Sequence, residues 1–441
     1  MQPLALSLFL ALCAVGIFRP ALIVALIFTM FPLEIALQSM CPVLSSSDLG
    51  LQAVNLAIGA AALIATPLAI TQRREPFLGY ANLAAISVFL VLLWSVVTLL
   101  WSPNRDVAIG TIRWQLPYMV LSTLIAPLLL SNSIQLVELQ KWLLALGFAM
   151  CCVYLLSPEF AMRDGRLGTY IAGAGKQSNP LAVGEAGGLT LIIGMLYVRR
   201  TPSFLVPLIR ICAVLVGSAV VFLSGSRGQV LISVGVGILF VPLAMTIRNA
   251  RAFLANCLLL AVFAATTYFV FTNVLSNFAT QRFSADQMVY GYDSSALSRF
   301  SSVANLMAAW SSSPIAWVVG LGYLAYGAIQ GSTDIYTHVL FADAIFELGI
   351  PGLVLFVLLL MSAVQSSVQL LSMGNQADPQ TRSSIATLIA IATYSTIIVN
   401  KQGALWGSFI FFMSIILIAQ LANRARAGLD PALQPNPDAN G

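Results

Sequence analysis

Residues 79–101 read GYANLAAISVFLVLLWSVVTLLW and contain no charged side chain. A transmembrane helix needs roughly 20 consecutive apolar residues, so this stretch predicts one. Comparable apolar runs lie near residues 2–18, 20–39, 50–71, 114–131, 138–157, 180–198, 203–223, 228–247, 251–274, 341–372, 382–400 and 404–422. Because several runs are short or adjoin one another, the sequence predicts an all-α polytopic membrane protein with about 12 transmembrane helices.

The composition excludes a soluble globular protein. The 441 residues are 59% hydrophobic and only 8% charged, and the mean hydropathy is +0.91. Soluble domains carry about 25% charged residues. The apolar runs are continuous, whereas the strands of a membrane barrel alternate between apolar and polar residues. The six cysteines lie mostly inside these runs without paired spacing, so neither a disulfide framework nor a zinc motif is expected.

The placement of basic residues orients the chain. Short cytoplasmic loops are enriched in Lys and Arg, and Arg73-Arg74 and Arg199-Arg200 fall on one side if the spans alternate. We therefore expect N-terminal transmembrane helices over residues 1–274, a large outer loop with short amphipathic helices over 275–340, C-terminal transmembrane helices over 341–422, and a disordered cytoplasmic tail over 423–441. The first two apolar runs either both span the membrane or form a re-entrant pair, which leaves the side of the N-terminus open.

The outer loops hold more basic residues than this rule predicts. Nine of the 21 basic residues fall there: Arg105, Arg113, Arg163, Arg166, Lys176, Arg227, Arg282, Arg299 and Lys401. Such a surplus suggests an anionic ligand at the outer face. For most single positions the plainer interpretation is pairing with lipid phosphates or with Asp106, Asp164 and Asp286.

His338 is the only histidine, and it lies where the long outer loop meets the next apolar run. A lone histidine is more often structural than catalytic in a soluble protein. At a membrane interface, beside a loop that bears Arg282 and Arg299, a functional role is favoured. With an unperturbed pKa of about 6.5, its imidazole suits general-base chemistry near neutral pH.

Three further polar segments fit an anion or sugar site. Ser-Gly-Ser-Arg-Gly at residues 224–228 combines small residues, which let backbone N–H groups approach an anion, with the charge of Arg227. Its structural alternative is an interface arginine that reaches the lipid headgroups. A glycine-rich loop lies at residues 163–180, and an amphipathic stretch follows Arg299. Polar side chains in the loop are Arg163, Arg166, Tyr170, Lys176, Gln177 and Asn179.

Other motifs are missing from the sequence. It has no Asp-x-Asp pair and no cluster of His, Asp and Glu at ligand spacing, so neither a metal nor another cofactor is expected. It has no P-loop, which excludes an ATPase. The intramembrane acidic residues Glu34 and Glu185 are too few to trace a proton relay. No nucleic-acid partner is expected.

Three segments in this order resemble the lipopolysaccharide O-antigen ligase family, within the O-antigen ligase and polymerase superfamily. Residues 224–228 are similar to its Ser-x-Ser-Arg-Gly signature. The second segment consists of Arg299, Trp310, Pro314 and Gly320-Leu321-Gly322. The third is His338 followed by Glu-Leu-Gly-Ile-Pro-Gly at residues 347–352. Val339 departs from the pattern, since many members have Asn there. This departure leaves open whether a polar neighbour helps to hold the imidazole or whether Asp334, one helical turn earlier, does so.

The resemblance implies a GT-C-like, metal-independent, inverting glycosyltransferase of the bacterial inner membrane with its active site at the periplasmic face. Its donor would be O-antigen linked to undecaprenyl diphosphate, and its acceptor a sugar hydroxyl of lipid A–core. His338 would be the general base, and Arg227 and Arg299 would stabilise the diphosphate leaving group. Candidate substrate-binding residues are Arg163, Arg166, Tyr170, Lys176, Gln177, Asn179, Ser226 and Arg282. The oligomeric state is open.

Three alternatives stay open. An O-antigen polymerase uses the same donor but a lipid-diphosphate-linked acceptor, and the superfamily motifs do not separate it cleanly from a ligase. A protein O-oligosaccharyltransferase usually has a longer chain with a soluble C-terminal part. A transporter of anionic lipids would show inverted repeats and broken helices near the membrane midplane, and the sequence has no convincing repeat.

Overall fold

A computed structural model describes residues 2–72, 75–163, 166–171, 176–199, 205–245, 294–331 and 336–433. This part of the chain is mostly helical. The helices are α1 (Gln2–Phe18), α2 (Pro20–Met40), α3 (Pro42–Ser45), α4 (Asp48–Thr71), α5 (Leu83–Val97), α6 (Arg105–Val120), α7 (Ala126–Leu129), α8 (Ser133–Leu156), α9 (Pro180–Leu196), α10 (Leu205–Leu223), α11 (Arg227–Ala244), α12 (Ser294–Ser311), α13 (Pro314–Val319), α14 (Ala325–Gln330), α15 (Leu340–Phe346), α16 (Gly349–Gly374), α17 (Pro379–Gln402) and α18 (Phe409–Arg426). A π-helical turn, Leu121–Ile125, joins α6 to α7.

Nine helices in the described part of the chain are long and apolar enough to cross a membrane. They are α2, α4, α5 with the turn that follows it, α8, α10, α11, α16, α17 and α18. Helices α1 and α9 are apolar but shorter. The protein is therefore an all-α polytopic membrane protein in its broad architecture. The predicted apolar span at 251–274 lies outside the described residues.

Local sequence explains where several helices begin. Asn132 and Asn179 accept hydrogen bonds from the backbone N–H groups of the first turns of α8 and α9. Asp378 does the same for α17, whose first residue is Pro379. Short polar side chains at the N-cap satisfy N–H groups that have no partner within the helix, and proline fits the first helical position.

Three helices form the centre of the bundle. The most apolar window is 83% buried in α2 and 78% buried in α17 and in α18, against 28% in α10 and α16. The strongest helix pairings are α9 with α10, α2 with α8, α5 with α16, and α11 with both α9 and α17. The central helices therefore face protein on most sides, while α10 and α16 present much of their surface to lipid.

The bundle has two distinct ends. The loop end contains the connections at residues 41–47, 101–104, 224–226 and 403–408; there Ser102 Oγ donates to the Tyr323 carbonyl at 2.7 Å. The tail end contains the connections at 130–132 and 375–378, and there Arg382 Nε donates to the Leu243 carbonyl at 2.8 Å. His338 lies at the loop end, since Phe341, three residues later, binds Asn400 near the last residue of α17.

A small antiparallel sheet interrupts the all-helical pattern. Its strands are β1 (Phe160–Arg163), β2 (Arg166–Ile171) and β3 (Lys176–Gln177), in the order β1-β2-β3. Arg163 pairs with Arg166 across the first hairpin. The sequence between them, Asp164-Gly165, is a dipeptide that favours tight hairpin turns. The sequence predicts a glycine-rich loop here, whose amides and two arginines could line a polar cleft for a sugar or phosphate, and it does not predict the strands.

The amphipathic stretch after Arg299 forms the second half of α12. Its inner face buries Leu306 completely against Tyr326, Ala342 and Phe346, whereas Phe300 is exposed. Helices α12, α13 and α14 cover the described part of the expected outer loop. Residues 275–293 and 332–335 of that loop lie outside the described residues.

The segment after α18 differs from the disordered tail expected there. Asp430 is fully buried, and its carboxylate accepts hydrogen bonds from the backbone N–H and the hydroxyl of Ser133, both at 2.8 Å. A carboxylate at the start of α8 also complements the positive end of the helix dipole. Packing therefore extends to Leu433, and residues 434–441 lie outside the described part.

Candidate functional site

The last turn of α17 connects several parts of the loop end. Asn400 Oδ1 accepts a hydrogen bond from the Phe341 backbone N–H at 2.9 Å. Lys401 Nζ donates to Ser226 Oγ at 3.3 Å. Gln402 lines two cavities. Three successive residues thus join the His338 segment, the start of α11 and an open space within the protein.

Ser226, Arg227, Gly228 and Lys401 form what we call the basic corner. Ser226 is buried, and Arg227 is the half-buried first residue of α11. A Cβ atom on Gly228 would lie 2.5 Å from Lys401 Nζ, so the lysine side chain packs closely against the backbone of the glycine. The corner therefore combines two cationic residues with the positive end of a helix, an arrangement that favours a bound anion.

His338 has a strained backbone. Its φ of 64° lies in the left-handed region, which costs an L-residue roughly 1–2 kcal/mol. The half-buried imidazole contacts the Tyr336 ring edge-on, with ring centroids 4.5 Å apart. Tyr336 in turn lines two cavities. The imidazole therefore contacts a residue, Tyr336, that lines the same two cavities as Gln402 of α17.

Thr337 closes the turn around His338. Its buried hydroxyl donates to Asp343 Oδ1 at 2.6 Å and accepts from the Val339 backbone N–H at 3.2 Å. Asp334, which the sequence offered as a partner of the imidazole, lies outside the described residues. Burial raises the pKa of the Asp343 carboxyl above its usual range.

Three adjoining cavities open at the loop end. Their volumes are about 680, 520 and 500 Å³. The first two share Gln115, Tyr336, Gln402, Gly403 and Gly407. The third shares Phe31 and Glu34 with the first, and Trp114 with the second. Shared walls make them compartments of one space, large enough for part of a glycan or a lipid headgroup.

The polar groups of these cavities are mostly uncharged. Glu34 accepts hydrogen bonds from Gln38 Nε2 at 2.9 Å and from Asn55 Nδ2 at 2.7 Å. The side-chain oxygens of Gln115 and Gln402 are buried and have no hydrogen-bond partner among the described residues. Unsatisfied buried acceptors are costly, and a hydroxyl-rich ligand in the cavity would satisfy both.

The small sheet reaches the rim of the first cavity. Ser178 Oγ accepts a hydrogen bond from the Thr169 backbone N–H at 3.0 Å. Ser178 and the exposed Asn179 both line this cavity. Arg166 lies half-buried in β2. The other predicted loop residues are in strands by backbone position: Arg163 in β1, Tyr170 in β2, and Lys176 and Gln177 in β3.

The structure does not bring all the predicted residues together. Arg299 lies half-buried in α12 and is not among the residues that line the described cavities. Helix α12 packs instead on α13, α14 and α15. Arg282 lies outside the described residues. The described residues thus give contacts that join Ser226, Lys401 and the His338 segment to one helix end, and none that joins Arg299 to them.

Parts of the second and third signature segments form another cluster, which we call the glycine junction: residues 320–326 with 347–349. Backbone N–H groups of Leu321 and Gly322 donate to the carbonyls of Phe346 and Glu347 at 3.0 and 2.9 Å. The Glu347 carboxylate accepts from the Leu324 and Tyr326 N–H groups at 2.9 and 3.3 Å. Burial raises the pKa of this carboxyl, and the two backbone donors oppose that shift.

Two tryptophans fasten the glycine junction to the N-terminal half of the chain. Trp101 Nε1 donates to the Gly320 carbonyl at 3.1 Å, and Trp94 Nε1 donates to the Leu348 carbonyl at 2.8 Å. Gly320 has a φ of 82°, and a Cβ there would collide with the Glu347 carbonyl oxygen. The glycines of the signature therefore serve close backbone packing.

Sequence reasoning missed several residues of this site. Asn400, Gln402 and Gln115 were not singled out, and Lys401 was counted only among the outer basic residues. The available signal was that polar side chains next to membrane spans are costly and usually have a function. Many polar residues lie next to membrane spans, and only the folded structure shows which of them are close to one another.

Comparison with known proteins gives one family. No curated protein matches the chain. A family model described as O-antigen ligase matches residues 211–357, about a third of the 441 residues. The match includes Ser226, Arg227, Arg299, His338 and Glu347 and excludes the small sheet and Lys401. The segment that carries His338 and the start of α11 is therefore similar to the O-antigen ligase family.

Proposed function

We propose that the protein is a lipopolysaccharide O-antigen ligase. It moves O-antigen from undecaprenyl diphosphate onto a sugar hydroxyl of lipid A–core, at the periplasmic face of the bacterial inner membrane, with a GT-C-like architecture. The observation that carries the proposal is the contact of one helix end, Asn400 to Gln402, with the basic corner, the His338 segment and the cavities. The family match supports a glycosyltransferase-type enzyme in general terms.

The proposed reaction is a single inverting displacement. The acceptor hydroxyl attacks the anomeric carbon of the donor sugar, and the bond from that carbon to the diphosphate oxygen breaks. His338 takes the hydroxyl proton during attack, because a sugar hydroxyl is a poor nucleophile until it is deprotonated. Negative charge grows on the departing diphosphate and must be stabilised in the transition state.

Fixed cations supply that stabilisation in our proposal. Arg227 and Arg299 are the arginines assigned to it from the sequence, and we add Lys401 because it donates to Ser226 at the start of α11. Arginine binds phosphate oxygens in a bidentate manner, while lysine acts as a point charge. Transfer should then persist in EDTA, and a loss of activity restored by magnesium would contradict a metal-independent mechanism.

Both substrates are lipids, which suits a site that opens at the end of the bundle. The cavity walls combine aromatic and aliphatic side chains with mostly uncharged polar ones, which is typical of a site for a large amphipathic ligand. We keep Arg163, Arg166, Tyr170, Lys176, Gln177, Asn179, Ser226 and Arg282 as proposed binders of the donor diphosphate or sugar. Among them, Asn179 has direct support because it lines the first cavity.

The decisive experiment is a lipopolysaccharide gel from a deletion strain. We expect bare lipid A–core in the deletion strain, accumulation of long glycan on the lipid carrier, and restoration by the wild-type gene. If lipid A–core instead carries a single repeat unit in the deletion strain, the protein is an O-antigen polymerase and the assigned acceptor is wrong.

A further inference from the structure

The backbone on both sides of His338 is held by one side chain. Thr337 precedes the histidine and is fully buried. Its hydroxyl accepts from the N–H of Val339, the residue that follows the histidine. The same hydroxyl donates to Asp343 Oδ1 at 2.6 Å. A side chain before His338 and a backbone group after it are thus linked to a carboxylate in α15.

We infer that Thr337 and Asp343 are positioning residues that fix the imidazole of His338 for proton abstraction. The inference rests on the proposed function, in which His338 is the general base. Neither residue touches the substrate in this assignment, and both act through the backbone of His338. They are residues other than Asp334, which the sequence suggested as a partner of the imidazole.

The left-handed backbone of His338 explains why such a hold is needed. A histidine with a φ of 64° is in a conformation that L-residues avoid, so an unrestrained turn would relax to another conformation and carry the imidazole with it. A strained backbone conformation persists only where contacts with neighbouring groups hold it in place, and such conformations cluster at functional sites. The hydroxyl of Thr337 restrains the backbone on both sides of the histidine.

The partner carboxylate is itself firmly placed. Asp343 is buried and lies in the first turn of α15, whose Phe341 N–H is bound by Asn400. Asn400 directly precedes Lys401, which reaches Ser226. The hydrogen bonds therefore run from the turn at His338 through α15 to α17 and the basic corner. The base and the cations that face the leaving group would keep a fixed distance.

The test compares hydroxyl and non-hydroxyl side chains of similar shape. The purified full-length protein in lipid nanodiscs is assayed with a lipid-diphosphate-linked glycan and lipid A–core. For Thr337→Val we expect kcat to fall about 100-fold, as for a misplaced catalytic group, with both KM values within about two-fold of wild type. Thr337→Ser keeps the hydroxyl and should retain at least about half of kcat.

A second pair of variants separates the hydrogen bond from the charge. Asp343→Asn keeps an oxygen acceptor for Thr337 and should stay near wild type, whereas Asp343→Leu removes it and should resemble Thr337→Val. Equal loss of kcat in both Asp343 variants would overturn the inference. Should Thr337→Val fail to accumulate, Thr337→Cys serves instead, because a thiol is a weak hydrogen-bonding group. A kcat for Thr337→Cys equal to that of Thr337→Ser would overturn the inference.

His338→Ala distinguishes this inference from the proposed function. If His338→Ala is inactive while Thr337→Val has the wild-type kcat, His338 remains the proposed general base and the positioning role of Thr337 is overturned. The positioning role is likewise overturned if Thr337→Val changes only the KM values. If His338→Ala is fully active, the general-base assignment fails and the positioning role fails with it.

Discussion

The basic corner and the glycine junction both lie at the loop end of the bundle, yet they are built differently. The glycine junction joins backbone to backbone. Both carboxylate oxygens of Glu347 accept hydrogen bonds from backbone N–H groups within the junction. The basic corner instead brings the side chains of Ser226, at the N-cap of α11, and Lys401 of α17 together, and the next residue, Gln402, lines two of the cavities. One family signature thus contains both a scaffold and a candidate reactive centre.

This difference predicts two kinds of loss. Changes at His338 or in the basic corner should lower activity in a protein that still folds. Changes in the glycine junction should lower the amount and stability of the folded protein, and activity should fall only in proportion. Each substitution below therefore needs two measurements, the transfer rate and the thermal unfolding of the purified protein.

The largest effect is expected at His338. Loss of a general base lowers the rate by roughly 10²- to 10⁴-fold, so His338→Ala should be almost inactive while insertion and thermal unfolding stay normal. His338→Asn is the matched control, because asparagine tolerates the left-handed backbone but has no basic nitrogen. High activity in His338→Asn would show that only the shape of the turn matters.

The next effect is expected at Gly320. In Gly320→Ala the new Cβ meets the Glu347 carbonyl at a positive φ, and we expect a destabilisation of roughly 3 kcal/mol or more. Gly331 offers a matched control, since its φ is 59° but nothing lies within 4 Å of an added Cβ. Gly331→Ala should cost about 1 kcal/mol. Similar melting temperatures for the two variants would contradict the scaffold assignment.

A smaller effect on stability is expected at Glu347. In Glu347→Gln one amide oxygen replaces two carboxylate oxygens, so one of the Leu324 and Tyr326 N–H groups loses its acceptor. Leaving a buried donor unsatisfied costs about 1–3 kcal/mol. Thermal unfolding should show this loss, while kcat per folded molecule stays close to wild type. A collapse of kcat at unchanged stability would place Glu347 in the reactive centre.

The smallest effect is expected at Lys401. Lys401→Gln removes one of several cations, and we expect about a 10-fold loss in kcat/KM for the lipid-diphosphate donor without loss of stability. Lys401→Arg keeps the charge and should lose less, even though the two side chains differ in geometry. Initial rates at low donor concentration measure both. A wild-type rate for Lys401→Gln would remove this residue from the basic corner's function.

Much of the membrane architecture followed from the sequence because the thickness of a bilayer fixes the length of an apolar helix. The described spans from α2 to α18 coincide closely with the predicted apolar runs. The small sheet was missed, although Asp164-Gly165 marks its hairpin, because its strands are short and lack an alternating pattern. A hairpin signal of two residues carries little weight beside long apolar runs.

The site was only partly predictable for a related reason. Residues 224–228 and His338 stand out by their motifs and by rarity. Lys401 does not, because it lies 175 residues beyond Ser226 and no spacing in the sequence joins them. Gln115 and Gln402 are ordinary polar residues until α6 and α17 are seen to border the same cavities. Which helix ends meet is decided by packing, which the linear pattern does not encode.

The indole contacts of Trp94 and Trp101 have a consequence for recombination between related genes. The family segment at residues 211–357 receives both hydrogen bonds from a part of the chain outside it. Because the acceptors are backbone carbonyls, a chimaera that imported this segment alone would keep these hydrogen bonds only if the recipient chain supplied the two indole donors. Functional hybrids should therefore take residues 94–104 and the segment from the same parent. These two distant stretches of the gene would be exchanged together.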